Sequence, residues 1–400
     1  MKLFKKFLKY VIVPLLALLL LIVIVYFIKP KLVEDTAIAL LYPTVTIEEQ
    51  YQNKYTIEVP AMNELMYIAC SLTQTFQEDE NLISTTTPEY LNDVSAHFAP
   101  LKNHALVQLL ESQLKGNAYS QIQPTIRFFS LNYQITPENT IQEQEVFHVN
   151  GLLLQLFKSK VFYYPDHLEL IEDFAKKSDF YSFYTEHQPY YENLINRFDQ
   201  LCDIQESWDF LEAHFPERYN SYRIIFSPLT GGFHNTLPGL KDPRNEKYQA
   251  WLFVSPPPRI ALDSLSEDEL EIAKSKFTRQ LFTEMDHNYV NLATDKFLKL
   301  LDETIPDYKK WNTRKRGYSS NYSTFNEYMT WGVFGLYARN AYSKKNIDTI
   351  LFIHENMMVA SREFVHFPDF QEQLHSLSKD HNDYTNMYPA LLKWMDTYNN

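Results

Sequence analysis

The chain has 400 residues, a formal net charge of −13, and 28 Tyr, 28 Phe and 5 Trp residues. The negative charge argues against nucleic acid or an anionic membrane surface as a partner, because both are themselves negative. The aromatic residues supply ample material for a core. The 8 Gly residues are scattered among helical patterns without an internal period, which argues against a β-sandwich or a repeat protein.

The N-terminus predicts a membrane anchor. A lysine-rich leader, residues 2–9, precedes an uncharged run over residues 10–28. A run of this kind has the length of a membrane-spanning helix, about 20 residues, and exceeds the roughly 7–15 residues of a cleaved signal peptide. Flanking positive charge keeps the leader in the cytoplasm. We therefore expect residues 1–31 to form a cytoplasmic tip and signal anchor of a single-pass cytoplasmic membrane protein, with the remainder outside the cytoplasm.

The next part of the chain reads as a tether followed by helices. Residues 32–59 are expected to be a tether with a possible strand pair at 45–47 and 55–59, where apolar residues alternate. Residues 60–215 form a helical N-terminal part, with Cys70 and Cys202 on helical patterns, either as one disulfide or as two buried free thiols. The predicted helices of this part lie near residues 61–76, 88–98, 104–115, 124–131, 151–160, 166–184 and 188–205.

Residues 216–345 are expected to form a core with a small sheet, and residues 346–400 the C-terminal helices. Strands are predicted at 222–227 and 250–254, because both runs are rich in β-forming residues and are closed by proline. The loop between them, residues 230–245, contains His234 after a glycine pair. Loops held by a rigid sheet often carry binding residues. The last helices are predicted at 346–365 and 384–398.

A long helix should begin near Ser266, because Ser266 and Glu269 have the spacing of a capping box. This helix contains Thr283-Glu284-Met285-Asp286-His287. In the motif H-E-x-x-H, two histidines hold zinc and the glutamate is the general base. Here the first ligand position is Thr283, whose hydroxyl is a poor zinc ligand.

Two carboxylates are predicted on buried helix faces. Glu284 falls on the apolar stripe of its helix, and Glu327 shares a face with Trp331 and Phe334 on a downstream helix. Burying a carboxylate is costly unless a positive or hydrogen-bonding group meets it. We therefore predict that the side-chain ends of Glu284, His287 and Glu327 converge within about 6 Å. The alternative is that each carboxylate is satisfied by an arginine, a tyrosine or a backbone amide.

Three segments, residues 227–236, 282–291 and 327–331, resemble in this order a family of bacterial envelope proteins known as a domain of unknown function and described as zincin-like. The resemblance covers roughly residues 55–345. It implies an α+β, predominantly helical, zincin-like fold with a small sheet, related to the Glu-liganded zinc metallopeptidases. It also implies a metal site at His287 and Glu327 with Glu284 as the base, while Thr283 departs from the family's motif.

Two residues are candidates for the missing ligand. Glu284 itself could bind, giving a Glu-x-x-His pair like that of di-iron carboxylate bundles, which favours iron or manganese but removes the base. Alternatively, His234 could be delivered by its glycine-containing loop, giving His234, His287 and Glu327 as zinc ligands with Glu284 free. His234 could also be an exposed loop residue without a role.

Three functions follow from these patterns. The first is a membrane-anchored metal-dependent peptidase or amide hydrolase, in which Tyr328, Tyr337 or Arg339 faces the oxyanion. The second is an inactive pseudo-peptidase that binds a peptide or glycan of the cell envelope. The third is a purely structural helical protein whose carboxylates are satisfied by neighbouring helices.

Overall fold

The computed structural model describes residues 43–84, 86–149, 162–314 and 317–399. The predicted anchor at residues 10–28 and the predicted helix at 151–160 lie outside these ranges. Within them, no helix is both long enough and apolar enough to cross a membrane.

A mixed sheet lies at the centre of the fold, with strand order β2-β6-β8-β7-β1-β5. The pairs β2–β6 and β6–β8 are parallel, whereas β7 runs antiparallel to β8. A separate antiparallel pair is formed by β3 and β4. The described strands are β1 (Thr44–Val45), β2 (Lys54–Glu58), β3 (Tyr133–Ile135), β4 (Ile141–Glu143), β5 (Phe147–His148), β6 (Ser221–Ile225), β7 (Asn235–Asp242) and β8 (Lys247–Phe253).

The strands predicted at 222–227 and 250–254 are confirmed as β6 and β8, but the segment between them was only partly predicted. Residues 230–245 were expected to be a loop, and they contain the whole of β7. This strand carries a register shift between Leu237 and Leu240, and Gly239 has a φ of 59°. Its local sequence therefore looks like a turn, and its pairing with β8 on one side and β1 on the other makes it a strand.

The predicted strand pair in the tether is wrong in its pairing. Both strands form, but β1 lies between β7 and β5, and β2 pairs in parallel with β6 so that Tyr55 stands opposite Tyr222. Strand segments close in sequence were joined in the prediction because local sequence carries no information about distant partners.

The fold is α+β and predominantly helical, as predicted. One cluster of buried hydrophobic side chains extends from Val59 to Met395, and a smaller one includes Val45 and Trp251. The described helices are α1 (Ala61–Ser71), α2 (Gln74–Gln77), α3 (Pro88–Phe98), α4 (Ala105–Leu114), α5 (Ala118–Ile122), α6 (Leu168–Ser178), α7 (Phe180–Glu186), α8 (Gln188–Leu201), α9 (Ile204–His214), α10 (Glu267–Asp295), α11 (Leu298–Thr304), α12 (Asn321–Ala341), α13 (Ile347–Asn356), α14 (Phe367–Ser378) and α15 (Tyr388–Asp396).

Differences from the predicted helices have local causes. The helix predicted at 166–184 is divided into α6 and α7 at Asp179, which has the left-handed φ of 47°. The helix predicted at 346–365 ends earlier, because α13 passes into the π-helical turn Met357–Ser361 and Glu363 has a φ of 59°. The helix α14 was not predicted. Cys70 and Cys202 are free and buried, as one of the two alternatives expected.

Two long helices, α10 and α12, pack against each other and position the candidate site. The predicted capping box at the start of α10 is present, with Ser266 and Glu269 bonded reciprocally. Helix α12 is buried on all sides from Thr324 to Ala338. Its glycines allow α14 to approach, because a Cβ atom on Gly332 would lie 2.8 Å from Leu374 Cδ2. Glu327 is therefore held on a helix with little freedom to move.

Candidate functional site

His287 on α10 and Glu327 on α12 meet across the helix interface. The distance from His287 Nε2 to Glu327 Oε1 is 3.4 Å. The other ring nitrogen, Nδ1, lies 3.2 Å from Asn291 Oδ1 and 3.4 Å from Thr330 Oγ1. Burial opposes the charged imidazole, but the hydrogen bond and charge of Glu327 outweigh it and raise the pKa of His287 to about 10. The pair is therefore an imidazolium and a carboxylate at neutral pH.

The second carboxylate oxygen of Glu327 is also engaged. Oε2 accepts a hydrogen bond from Arg362 Nη1 at 2.9 Å and another from Trp331 Nε1 at 3.0 Å. Burial alone would raise the pKa of Glu327, but the His287 hydrogen bond and the Arg362 charge hold it below its ordinary value. Arg362 also lies 4.1 Å from the centroid of the Trp331 ring and donates to Tyr318 Oη at 3.0 Å.

Arg362 was missed by the sequence reasoning. It follows the π-helical turn Met357–Ser361. Arg362 and Glu327 lie on different segments, so helical periodicity does not relate their positions. No local pattern connects the two residues, and only the packing of this segment against α12 brings them together.

Thr283 and Glu284 differ in what they offer to a ligand. The Thr283 hydroxyl donates to the Gln280 carbonyl oxygen at 3.1 Å, within its own helix. Glu284 is half-buried, and its carboxyl has no hydrogen-bond partner in the described part of the chain. Burial raises the pKa of Glu284 to about 7, with the nearby charge of His287 opposing this rise. Glu284 is thus a partly protonated group that faces open space.

That space is a cleft of about 870 Å³ between α10, the loop before β7 and the segment after β8. The side chains that matter for its chemistry are His234, Ser255, Arg279, Thr283, Glu284, Trp331 and Arg362. Clefts of this volume fall within the range that holds small ligands. The structure thus places Thr283, Glu284 and His234 in one cleft, with the His287–Glu327 pair adjoining it through Glu284 and Arg362.

His234 lines the cleft and is half-buried, and the glycines before it have a different role from the one expected. Ser255 Oγ donates to the Gly231 carbonyl oxygen at 2.5 Å, so His234 Nε2 donates to Ser255 Oγ at 2.6 Å. Burial and the charges of two nearby arginines lower the pKa of His234 to about 3, so the ring is neutral and Nδ1 keeps its lone pair. A Cβ atom on Gly231 would lie 2.6 Å from the backbone of Asn81. The glycine therefore permits close approach to residues 80–82 and not to the motif helix.

Two of the predicted metal ligands have the spacing that a metal ion requires. Two ligands at about 2.0–2.1 Å from a tetrahedral zinc are separated by roughly 3.3 Å, close to the 3.4 Å between His287 Nε2 and Glu327 Oε1. Neither Thr283 nor His234 Nε2 completes the set, because the Thr283 hydroxyl donates within its own helix and His234 Nε2 is bonded to Ser255. Among the described residues, no group of three or more His, Cys, Asp or Glu side chains is arranged to hold a metal ion.

The three predicted oxyanion donors are not brought to the cleft. Tyr328 donates to the Trp311 carbonyl oxygen at 2.7 Å and is fully buried. Tyr337 packs on Phe282 and lines a different depression, and Arg339 is exposed. The reason is helix phase, since a helix turns by about 100° per residue. The face of α12 that carries Glu327 and Trp331 is therefore not the face that carries these three.

The fold and the site together define a helical α+β protein with an ion-paired histidine and glutamate beside a cleft. The family model for the Domain of unknown function (DUF4932) matches residues 55–392, and the chain belongs to that family. No curated protein and no solved structure matches the chain. The matched residues include His287, Glu327 and Arg362.

Proposed function

We propose that this chain is a peptide-binding module of the cell envelope, whose peptidase-like cleft carries an ion-pair network where a peptidase would carry its metal. The observation that supports this most is the engagement of both Glu327 oxygens, one by His287 and the other by Arg362 and Trp331. The guanidinium supplies the positive charge that a dication would otherwise provide. The Thr283 hydroxyl, turned to its own helix, agrees with a site that has given up one ligand.

A peptide is favoured over a glycan as the ligand. Sugars commonly stack on an exposed aromatic face, whereas Trp331 is 6% exposed and already has the Arg362 guanidinium 4.1 Å from its ring centroid. The cleft offers instead a neutral histidine acceptor, a half-buried carboxyl and guanidinium donors, which suit amide and carboxylate groups. The envelope location rests on the lysine-rich leader and the apolar run at 10–28, which would anchor the cleft outside the cytoplasm.

A second candidate is the metal-dependent peptidase or amide hydrolase. It is supported by the 3.4 Å spacing of His287 and Glu327 and by the pKa of about 7 of Glu284, which suits a general base. Zinc would require His234 as third ligand, released from Ser255. Iron or manganese would require Glu284 as a ligand, which would remove the base.

Metal content decides between the two candidates. The full chain, purified in mild detergent and incubated with zinc, iron or manganese, is measured for bound metal beside Thr283→His. The binding proposal expects far less than one metal per chain in the wild type and about one zinc in Thr283→His, which restores the missing ligand. Leu292→His is the control, because it adds an imidazole to an exposed position of the same helix.

Stoichiometric metal in the wild type would contradict the binding proposal. In that case His234→Ala and Glu284→Gln identify the third ligand. Loss in His234→Ala alone assigns the loop histidine, and loss in Glu284→Gln alone assigns the carboxylate.

A further inference from the structure

Arg279 is the feature of the cleft that the fold does not explain. It lies on α10 one turn before Thr283, lines the cleft and is half-buried. Its Nε atom is buried without a hydrogen-bond partner, and within the described residues its guanidinium forms no ion pair. Burial and the charge of Arg362 lower the pKa of Arg279 to about 10, so it remains a cation at neutral pH. An unpaired cation in such a place costs stability.

Arg279 is the second guanidinium at the same indole ring. Its Cζ lies 5.7 Å from the ring centroid of Trp331, and the Cζ of Arg362 lies 4.1 Å from it. Cation–π contacts hold a guanidinium in place but do not neutralise it. Arg362 shares its charge with Glu327, whereas Arg279 has no such partner in the described part of the chain. The indole thus fixes the position of a cation that is left unpaired.

The floor of the cleft is therefore positive in an acidic protein. Two guanidiniums and the imidazolium of His287 meet the ionised carboxylate of Glu327 and the partly protonated Glu284. Other charged side chains that line the cleft, Glu80, Glu269 and Lys276, are exposed, and Glu269 is engaged in the cap of α10. Clefts with walls of low dielectric concentrate the field of such buried charges, so an anionic group is attracted to this floor.

We propose that Arg279, with Arg362 beside it, forms a subsite for a carboxylate of the bound peptide, an inference that rests on the peptide-binding function proposed above. A guanidinium matches a carboxylate through two parallel N–H···O bonds, which pairs Arg279 and satisfies its buried Nε. The carboxylate can belong to the C-terminus of the peptide or to an Asp or Glu side chain. The neutral His234 Nδ1 on the opposite wall accepts an N–H of the same peptide.

The test compares three peptide pools of the same length against the full chain in mild detergent, by fluorescence anisotropy. One pool lacks Asp and Glu and has free C-termini. The second is the same pool with amidated C-termini, and the third is amidated and contains one Asp or Glu. The amidated pool without Asp or Glu has no carboxylate and is the neutral pool. We expect a pool that carries a carboxylate to bind at least about tenfold more tightly than the neutral pool, and the pool that does so identifies the source of the carboxylate.

The variants assign the preference to Arg279. Arg279→Gln is expected to remove the tenfold difference, and Arg279→Lys, which keeps the charge without the fork, to retain part of it. Arg339→Gln is the matched control, since it removes the same charge from an exposed helix position outside the cleft. Circular dichroism verifies that the variants fold. If Arg279→Gln does not fold, the test rests on Arg279→Lys, in which we expect the preference for the carboxylate pool to weaken about threefold.

Each outcome is decisive. Equal affinity for the neutral and carboxylate pools, or an unchanged preference in both Arg279 variants, overturns the subsite and leaves peptide binding standing. No binding of any pool overturns both proposals. Stoichiometric metal with peptide cleavage overturns the binding function, while a preference that depends on Arg279 would still support the subsite.

Discussion

Arg223 and Arg279 each contact an aromatic ring below the surface, but their surroundings differ. Arg223 on β6 pairs with Glu58 on β2 through Nε at 3.1 Å and Nη2 at 2.6 Å, and it lies 4.6 Å from the ring centroid of Tyr51. Arg279 on α10 contacts the indole of Trp331 but has no carboxylate partner in the described part of the chain. Arg223 therefore forms an ion pair between two neighbouring strands of the sheet. Arg279 remains available to pair with an anionic group that enters the cleft.

The comparison distinguishes structural from functional charge. A buried ion pair that satisfies itself is explained by the fold alone, since removing either partner leaves an uncompensated charge. A guanidinium held in place without a partner is a cost to the fold, and such costs are commonly found where a ligand binds. The Glu327 network lies between the two cases, because Arg362 pairs with the carboxylate but also faces the cleft.

The largest expected effect is at the structural pair. Glu58→Gln leaves the Arg223 guanidinium, 7% exposed, without its carboxylate, and we expect a loss of about 3 kcal/mol in the free energy of unfolding. Urea unfolding of wild type and variant measures it. A loss below about 1 kcal/mol would mean that the Glu58 carboxylate does little to stabilise Arg223. The contrast between a paired Arg223 and an unpaired Arg279 would then fail.

A smaller loss is expected for Glu327→Gln. The variant weakens hydrogen bonds to two charged partners, His287 and Arg362, and we expect about 2 kcal/mol. Because the folded pKa of His287 is raised to about 10, its stabilising contribution is complete below its ordinary pKa and is lost as the pH rises through about 10. In Glu327→Gln this loss at alkaline pH should largely disappear, and NMR titration of His287 should show a lower pKa.

The acid side of the stability profile should report a histidine that is buried in its neutral form. His354 is fully buried, and its Nε2 donates a hydrogen bond to the Trp331 carbonyl oxygen at 2.9 Å. Burial and the charge of Arg279 lower the pKa of His354 to about 3. Between its ordinary pKa and about 3 the unfolded chain binds a proton that the folded chain does not. This group therefore lowers the free energy of unfolding by about 1.4 kcal/mol for each unit by which the pH is decreased. His354→Gln should reduce the measured slope by one proton.

The smallest effect is expected for Arg279→Gln. Removing an unpaired, half-buried cation costs no ion pair, so the free energy of unfolding should stay within about 0.5 kcal/mol of the wild type or rise. The same urea experiment provides the measurement, with Glu58→Gln as the contrasting variant. A loss of about 2 kcal/mol or more would show that Arg279 has a structural role, which would weaken the case for a ligand subsite.

Local patterns predicted much of what surrounds the cleft. The capping box at Ser266 and the spacing of Glu284 and His287 depend on neighbours a few residues away, and helical geometry then carries them to the same region. The apolar pattern around Glu327 also predicted its burial, and the structure buries α12 on all sides there. These features could be predicted because each is set by backbone periodicity and by the cost of burying charge.

Tertiary structure alone decided how the charges are paired. Arg362 reaches Glu327 from a segment beyond a π-helical turn, β7 became a strand through β8, and Arg279 was left without a partner. None of these is encoded at a fixed spacing, because each depends on which distant segments come into contact when the shared core forms. Sequence therefore determined which groups the α10–α12 interface would carry. Packing determined which of them are already satisfied and which remain available to a ligand.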